Sequence, residues 1–237
     1  MSGTGEDRWP VVGRARLSTG EDVATVRERV DLGPAPAEAV AIVRPEKPGE
    51  LLENWCSRAD LSVPIPYWAE IWPAARALAQ HLAAGPPLAG RSVLDLGCGL
   101  GLAGIAAGLR GGAVLFADNH ADALTFARMN AEAAGLDAVF LAADWRAAAW
   151  ARPFDLVLAA DVLYDRSDHE PLLDLLPVLL AAGGVALFGD PHREASARFF
   201  DDWRRLHGAR LATLGETSLP EAGAVVTLHE LSCAAGI

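Results

Sequence analysis

Five aspartates in the second half of the chain are spaced so that they could do chemistry together. Asp95, Asp118, Asp144, Asp161 and Asp190 each fall at the expected carboxyl end of a successive short apolar run. Open α/β sheets bind ligands in the crevice outside those ends, so the five carboxylates would face one cleft. Such a cleft favours a cationic ligand, and a cationic substrate with it. Aspartate also forms turns and caps at strand-to-loop junctions, which would account for two or three of the five without any function.

The first of these acids opens a glycine turn, Asp95-Leu96-Gly97-Cys98-Gly99-Leu100-Gly101. Glycines there let backbone approach a ligand closely, and the helix that follows offers free N–H donors. Gly99, Gly101 and Gly104 also satisfy the Gly-x-Gly-x-x-Gly dinucleotide spacing. Asp95 separates the two readings. A carboxylate two residues before the first glycine repels a pyrophosphate, whereas S-adenosylmethionine (SAM) carries no phosphate and presents an ammonium and a sulfonium. Asp118 ends the next strand, where an acid can hold the ribose hydroxyls of either cofactor.

The elements that must position these residues follow from the pattern. From about residue 91, apolar runs alternate with helical periodicity, which predicts a parallel α/β sheet. Strands are expected at Ser92–Asp95, Val114–Asp118, Ala138–Ala143, Leu156–Ala159 and Val185–Gly189. Helices are expected at Leu102–Leu109, Ala121–Ala134, His169–Leu180 and Arg193–His207. Two further runs, Arg210–Leu214 and Ala224–Leu231, have no helix between them and predict an antiparallel hairpin at one sheet edge. The expected fold is a Rossmann-like, seven-stranded, mostly parallel sheet with helices on both faces. Residues 1–66 read as an extension, with a hairpin of Val11–Leu17 and Val23–Val30 and a proline-rich cover, and residues 67–237 as the main domain. Trp68–Ala84 reads as a helix, with Pro73 acceptable only near a helix start.

Composition excludes several classes. The 237 residues are 51% hydrophobic and 22% charged, too apolar for a disordered chain. Twenty basic against 31 acidic residues give a net charge of −11, which disfavours nucleic acid as a partner. Cys56, Cys98 and Cys233 are too few and too far apart for a disulfide framework or a metal site. A reducing, cytoplasmic setting is expected, with no signal peptide, no membrane span and a monomeric state. The most apolar stretch, 172–189, contains Asp174, Pro177 and a Gly183-Gly184 pair, and reads as helix, turn and strand.

The residues also resemble a known family. Asp95-Leu96-Gly97-Cys98-Gly99 is similar to motif I of class I SAM-dependent methyltransferases, a resemblance that covers roughly residues 64–231. Pro66-Tyr67-Trp68-Ala69-Glu70-Ile71-Trp72-Pro73, Ala160-Asp161-Val162-Leu163-Tyr164-Asp165 and Gly189-Asp190-Pro191-His192-Arg193 narrow it. Together they resemble methyltransferase family 16, which includes many protein-lysine methyltransferases with an Asp-x-x-Tyr motif after the fourth strand. The branch acting on the electron-transfer-flavoprotein β subunit shares the Pro-(Tyr/Phe)-Trp-Ala and Gly-Asp-Pro-x-Arg stretches. Glu70 and Pro73 depart from that branch and look like a broader bacterial one.

The resemblance implies SAM as cofactor, with Asp95 in motif I and Gly97, Gly99 and Gly101 lining its methionine part. Asp118 would take the ribose hydroxyls, Asp144 and Trp145 would frame the adenine, and Trp72 and Ala160 would complete the wall. The implied substrate is a protein, and the implied reaction is methylation of a side-chain amine, lysine first. A lysine amine has a pKa near ~10.4 and is almost wholly protonated at neutral pH, so the site must deliver it neutral and in line. Asp161 and Tyr164 are the expected catalytic pair: Asp161 grips the ammonium or its departing proton, and Tyr164 shapes the channel. Trp68, Asp190 and His192 are expected on the substrate side of the cleft. No metal is expected.

Plainer readings stand beside these. Tyr164 would also suit a packed aromatic position, and His192 a surface or capping one. Trp68 and Trp72 are four apart, the spacing of one helical face, so core packing accounts for them equally. Among functions, a small-molecule methyltransferase is the first alternative, either on nitrogen or as a metal-assisted O-methyltransferase using Asp161 and Asp190. A nucleic-acid methyltransferase, a nicotinamide dehydrogenase and a non-catalytic binding module come after it.

Overall fold

A computed structural model of the protein describes residues 10–33, 39–57, 64–147, 150, 152–207 and 210–233. The chain opens with three strands, β1 (Val11–Arg16), β2 (Asp22–Asp31) and β3 (Ala39–Pro45), which form an antiparallel sheet in that order. The helix α1 (Pro48–Cys56) follows. The hairpin β1–β2 lies where its turn cluster predicts it. The proline-rich passage, read from sequence as cover, contributes the third strand and the helix. Proline interrupts neither: Pro45 closes β3, and Pro48 occupies the first turn of α1, where its missing N–H costs nothing.

The expected helix over Trp68–Ala84 is broken. Tyr67–Ala69 forms a single 3₁₀ turn, Trp72 is extended (φ −66°, ψ 147°), and α2 (Pro73–Ala84) begins at the proline. The Pro73 ring disfavours helical backbone at the residue before it, so the two tryptophans cannot share a helix.

The remainder alternates strand and helix. It comprises β4 (Ser92–Leu96), α3 (Leu102–Leu109), β5 (Ala113–Asp118), α4 (Ala121–Ala133), β6 (Val139–Ala142) and β7 (Phe154–Ala160). Then come α5 (His169–Leu179), β8 (Leu180–Asp190), α6 (Ser196–His207), β9 (Arg210–Leu219) and β10 (Ala224–Ser232). The second sheet has the order β6-β5-β4-β7-β8-β10-β9. Its first five strands are parallel, and β10 runs antiparallel to both neighbours. The seven-stranded sheet with its antiparallel edge is therefore the one expected. Several boundaries differ: α6 starts at Ser196 instead of Arg193, β9 continues past Leu214 to Leu219, and β8 starts at Leu180, directly after α5, and runs through Gly183-Gly184. The glycine pair is absorbed opposite a register shift in β7 rather than forming a loop.

Each central strand divides its side chains between two apolar layers, as a period of two requires. Val93 of β4 packs with Leu78, Ile105, Phe116 and Phe126 on the face of α2, α3 and α4. Leu94 and Leu96 pack with Val157, Phe188, Phe199 and Trp203 on the face of α5 and α6. The three-stranded sheet joins the first layer through Val30, Leu32, Val40 and Ile42. Polar ties fix its position. Ser18 donates from both N–H and Oγ to the Asp122 carboxylate of α4, at 2.7 and 2.8 Å. Glu28 of β2 pairs with Arg44 of β3 at 2.6 Å and with Arg76 of α2.

The chain order reverses between β4 and β7: one half winds outward through β5 and β6, the other through β8. A crevice opens outside the carboxyl ends of the strands at such a point, and the strand-end acids lie around it.

Candidate active site

The glycine turn is held first by backbone bonds. Gly97 and Cys98 both donate to the Ala117 carbonyl, at 2.8 and 3.0 Å, so the loop after β4 folds toward the end of β5. Gly97 has φ +68°, a region closed to most side chains, and a Cβ there would come within 3.2 Å of both Trp145 and Val162. The bare backbone thus faces an open cavity of about 550 Å³. Gly99 donates to Asp118 Oδ2 and His120 N–H to Asp118 Oδ1, both at 2.9 Å. Burial raises the Asp118 carboxyl above the usual range, and these N–H groups pull it partly back.

This inner cavity gathers nine of the expected residues. Gly97, Gly99 and Asp118 form its floor; Trp145, Ala160 and Asp161 one side; Trp68, Trp72 and Tyr164 the other. Tyr67, Asn119, His120 and Val162 also line it, and the sequence reading had not placed them there. Burial holds the His120 imidazole below its ordinary pKa, with Asp122 opposing, so it is neutral near pH 7. Its Nδ1 accepts from the Asp122 N–H at 3.2 Å, which leaves the proton on Nε2.

The two tryptophans have different jobs. Trp68 is buried against Phe126 and His120, with ring centroids 5.1 and 5.4 Å apart. Trp72 donates from Nε1 to the Tyr67 carbonyl at 2.8 Å and stands in the wall. Tyr67 meets Trp72 and Tyr164 edge-on, at 6.1 and 5.4 Å. Burial, with Asp168 and Asp118 nearby, pushes the Tyr164 phenol up to about 12, so it stays protonated and is no base at neutral pH.

Asp161 is a non-glycine residue with φ +55°. Its N–H donates to the Gly189 carbonyl at 3.0 Å, and its carboxylate takes two bonds from Arg193, Nε at 2.9 Å and Nη2 at 2.6 Å. Burial raises the Asp161 carboxyl and the guanidinium opposes that rise. A second cavity, about 630 Å³, lies beside the first. Tyr67, Trp72, Asp161 and Tyr164 belong to both, and Arg193 lines the outer one.

Five expected residues stand outside these linings. Asp95 is buried beneath the floor and accepts from the Gly104 N–H at 2.8 Å. Desolvation, with Asp118 adding to it, pushes its carboxyl up to about 7 against that hydrogen bond. Gly101 begins α3 and packs against Phe116 and Ala127. Asp144 faces Arg146, whose hydrogen bond holds its carboxyl below the usual range. Asp190 caps the loop before α6, accepting from Arg193 N–H at 3.1 Å and Ser196 Oγ at 2.7 Å. His192 is exposed, with Nε2 3.2 Å from Thr227 Oγ1. Of the residues not anticipated, Tyr67 and Arg193 lie inside the quoted Pro66–Pro73 and Gly189–Arg193 stretches. His120 had only its place two residues after Asp118 as a signal.

The lining fits a cationic group and not a pyrophosphate. Asp118 and Asp161 are the charged residues of the inner cavity, and no Lys or Arg stands among its described lining residues. The residues present therefore suit the ammonium and sulfonium of SAM, with Gly97 supplying the close backbone approach. The Gly99, Gly101 and Gly104 spacing has another cause here: the missing side chain at Gly104 leaves room for Phe116 and Asp95. Among the described residues no three His, Cys, Asp or Glu side chains group to hold a metal, and no helix is long and apolar enough to cross a membrane.

Over 152 residues, 63% of this chain, the sequence is 37% identical to the electron transfer flavoprotein beta subunit lysine methyltransferase of Danio rerio. It is 34% identical to the Rattus norvegicus protein of the same name over 70% of this chain. The chain spans only 58% and 65% of the lengths of those two relatives. A TehB-like SAM-dependent methyltransferase from Corynebacterium glutamicum shares the fold, with a TM-score of 0.54 and 20% identity over 79% of this chain and 98% of that one. A family model described as lysine methyltransferase matches residues 67–205, more than half of the sequence, and the chain belongs to that family.

Proposed function

We propose that this chain transfers a methyl group from SAM to the side-chain amine of a lysine in a protein. The observation that carries the reading is the wall common to the two cavities. Tyr67, Trp72, Asp161 and Tyr164 line both the acid-lined inner cavity and the neighbouring one that Arg193 completes. Family membership supports the acceptor class. When bound, SAM supplies an electrophilic methyl on a positively charged sulfur, already a good leaving arrangement.

The chain's own residues supply position. Gly97 and Gly99 present backbone to the methionine part, Asp118 takes the ribose hydroxyls, and Trp145 covers the adenine, with Ala160 and Trp72 closing the wall. Asp95, whose carboxyl titrates at about 7, adds part of a negative charge below the floor at neutral pH. The three aromatic rings hold the aliphatic stem of a lysine, and Asp161 orients its nitrogen. Holding both reactants in line is worth ~7 kcal/mol or more of barrier in well-oriented systems. Residues 67–237 act as the methyltransferase domain, with 1–66 as its N-terminal extension. We place the protein in the cytoplasm as a monomer, bound neither to nucleic acid nor to membrane, with a basic, lysine-presenting surface as the partner that suits its −11 charge.

A metal-assisted O-methyltransferase would need Asp161 and Asp190 free as ligands. Both are committed, one to Arg193 and the other to Ser196 and the Arg193 N–H.

The test is incubation of the purified chain with methyl-labelled SAM and a cell lysate, followed by separation by size. The electron transfer flavoprotein beta subunit named for the relatives is the first purified acceptor to try. A discrete labelled protein, absent with Asp161→Asn, is the expected result, with mass spectrometry placing the methyl on lysine. Label confined to low-mass material would replace the reading with a small-molecule enzyme.

A further inference from the structure

Methylation needs the lone pair of the lysine nitrogen, and a bare carboxylate works against it. An unpaired acid within ion-pair distance captures the ammonium and raises its pKa further. Asp161, the one carboxylate common to both cavities among the described residues, is not bare. Its side chain is only 5% exposed, and both oxygens are taken by the Arg193 fork. An ammonium is a point charge and cannot reproduce two parallel bonds. Arg193 is held in turn: its N–H donates to Asp190, and its guanidinium carbon lies 6.0 Å from the centre of the Trp72 ring.

We propose that Arg193 is a positioning residue that cancels the charge of Asp161, so that the acceptor lysine reaches the junction of the two cavities as a neutral amine. The proposal rests on the methyl-transfer reading above. The other ionisable groups around the junction are already engaged. Asp118, at the end of β5, has both oxygens on backbone N–H groups, and Asp168, before α5, takes the Trp145 Nε1–H, with Arg146 3.7 Å away. Asp190, at the end of β8, serves Ser196 and the Arg193 N–H, and His192 faces Thr227. His120 is neutral, Tyr164 carries a protonated phenol, and Tyr67 packs edge-on against Trp72 and Tyr164. Arg193 is therefore the cation that faces the acceptor, 41% exposed and lining the outer cavity. The lysine ammonium gives its proton to solvent through that cavity. Its nitrogen lone pair then forms the N–C bond while the C–S pair leaves with sulfur, and the methylammonium product releases a second proton to solvent.

The test uses the full chain with Arg193→Gln, Arg193→Lys and the double variant Asp161→Asn/Arg193→Gln. Glutamine keeps one donor for Asp161 and removes the charge, whereas lysine keeps the charge and loses the fork. Carbon-13 NMR follows the Asp161 carboxyl, expected to titrate at higher pH in Arg193→Gln and to return most of the way in Arg193→Lys. Decalysine is the amine probe, titrated calorimetrically at pH 7 with S-adenosylhomocysteine present. Arg193→Gln should bind it about tenfold more tightly, the worth of one pKa unit of interaction, and the double variant should lose that gain. Arg193→Lys should gain about threefold, and carries the test if the glutamine variant does not fold.

In turnover with decalysine or the labelled acceptor, Arg193→Gln should lower KM and kcat together at pH 7, and recover kcat about one pH unit higher. An unmoved Asp161 titration, an unchanged decalysine affinity, a gain that survives in the double variant, or a fall in KM with kcat kept or raised would each overturn the proposal. Failure of the underlying reading shows separately, as wild-type chain that binds SAM and labels no protein.

Discussion

Asn130 in α4 and Val43 in β3 exchange two hydrogen bonds across 87 residues of sequence. The Val43 N–H donates to Asn130 Oδ1 at 2.8 Å, and Asn130 Nδ2 returns a bond to the Val43 carbonyl at 3.1 Å. The same Nδ2 donates to the Leu100 carbonyl at 3.0 Å. One buried amide therefore joins the N-terminal sheet, α4 and the glycine turn of the site.

Replacing that amide has a defined cost. Asn130→Ala strands one N–H and two carbonyls where water does not reach, and should destabilise the fold by about 3 kcal/mol. Urea unfolding measures it, and a loss under about 1 kcal/mol would show that water fills the gap. SAM affinity should fall with stability, because Leu100 belongs to the turn that floors the inner cavity.

The pH dependence of stability follows from Asp95. Its folded carboxyl titrates at about 7 against an ordinary value of 3.8. Between those values the folded state binds more protons than the unfolded one, so stability is present in full below about pH 4 and is lost as pH rises through about 7. The loss from this group is at most about 4 kcal/mol. Asp118 and Asp161, also raised by burial, act with the same sign. Asp95→Asn, followed by thermal unfolding between pH 5 and 8, should flatten the decline. The affinity of cationic SAM should rise over the same window and rise less in the variant.

Gly97→Ala tests the cradle. The added methyl meets Trp145 and Val162 at 3.2 Å on a backbone with φ +68°. SAM affinity should fall at least about tenfold, and the strain should cost about 1 kcal/mol of stability. Calorimetric SAM binding close to wild type would mean that Trp145 moves aside.

Asp161→Asn addresses the acceptor side. Without the carboxylate the Arg193 charge is uncompensated, and kcat/KM for the protein acceptor should drop at least about tenfold, or about 1.4 kcal/mol. SAM affinity should stay within about threefold. Full turnover at unchanged acceptor affinity would remove Asp161 from the site.

Tyr164 is a wall, and its two substitutions should differ. The phenol is protonated and 48% of the residue is exposed, so Tyr164→Phe keeps the ring against Tyr67 and most of the rate. Tyr164→Ala opens the junction and should raise the acceptor KM several-fold. Equal losses in steady-state kinetics would instead assign the work to the hydroxyl.

The sequence by itself determined the alternation of strands and helices, the glycine turn and the acids at the strand ends. These are local properties: a period of two or of 3.6, a turn chemistry and a junction preference all act within a few residues. The order of the seven strands was not among them: right-handed crossovers narrow the alternatives, and the fold selects one. Only the tertiary structure decided what each acid faces. Asp118 and Asp161 look into the cavity, whereas Asp95 lies beneath it and Asp190 is spent on capping, a distinction of a few ångströms that spacing does not encode. The pairing of Asp161 with Arg193 joins residues 32 apart through a left-handed backbone turn at Asp161, which no local pattern announces. The third N-terminal strand was hidden for the same reason, since β3 among prolines is held by Asn130 and by β2, partners that exist only once the chain has folded.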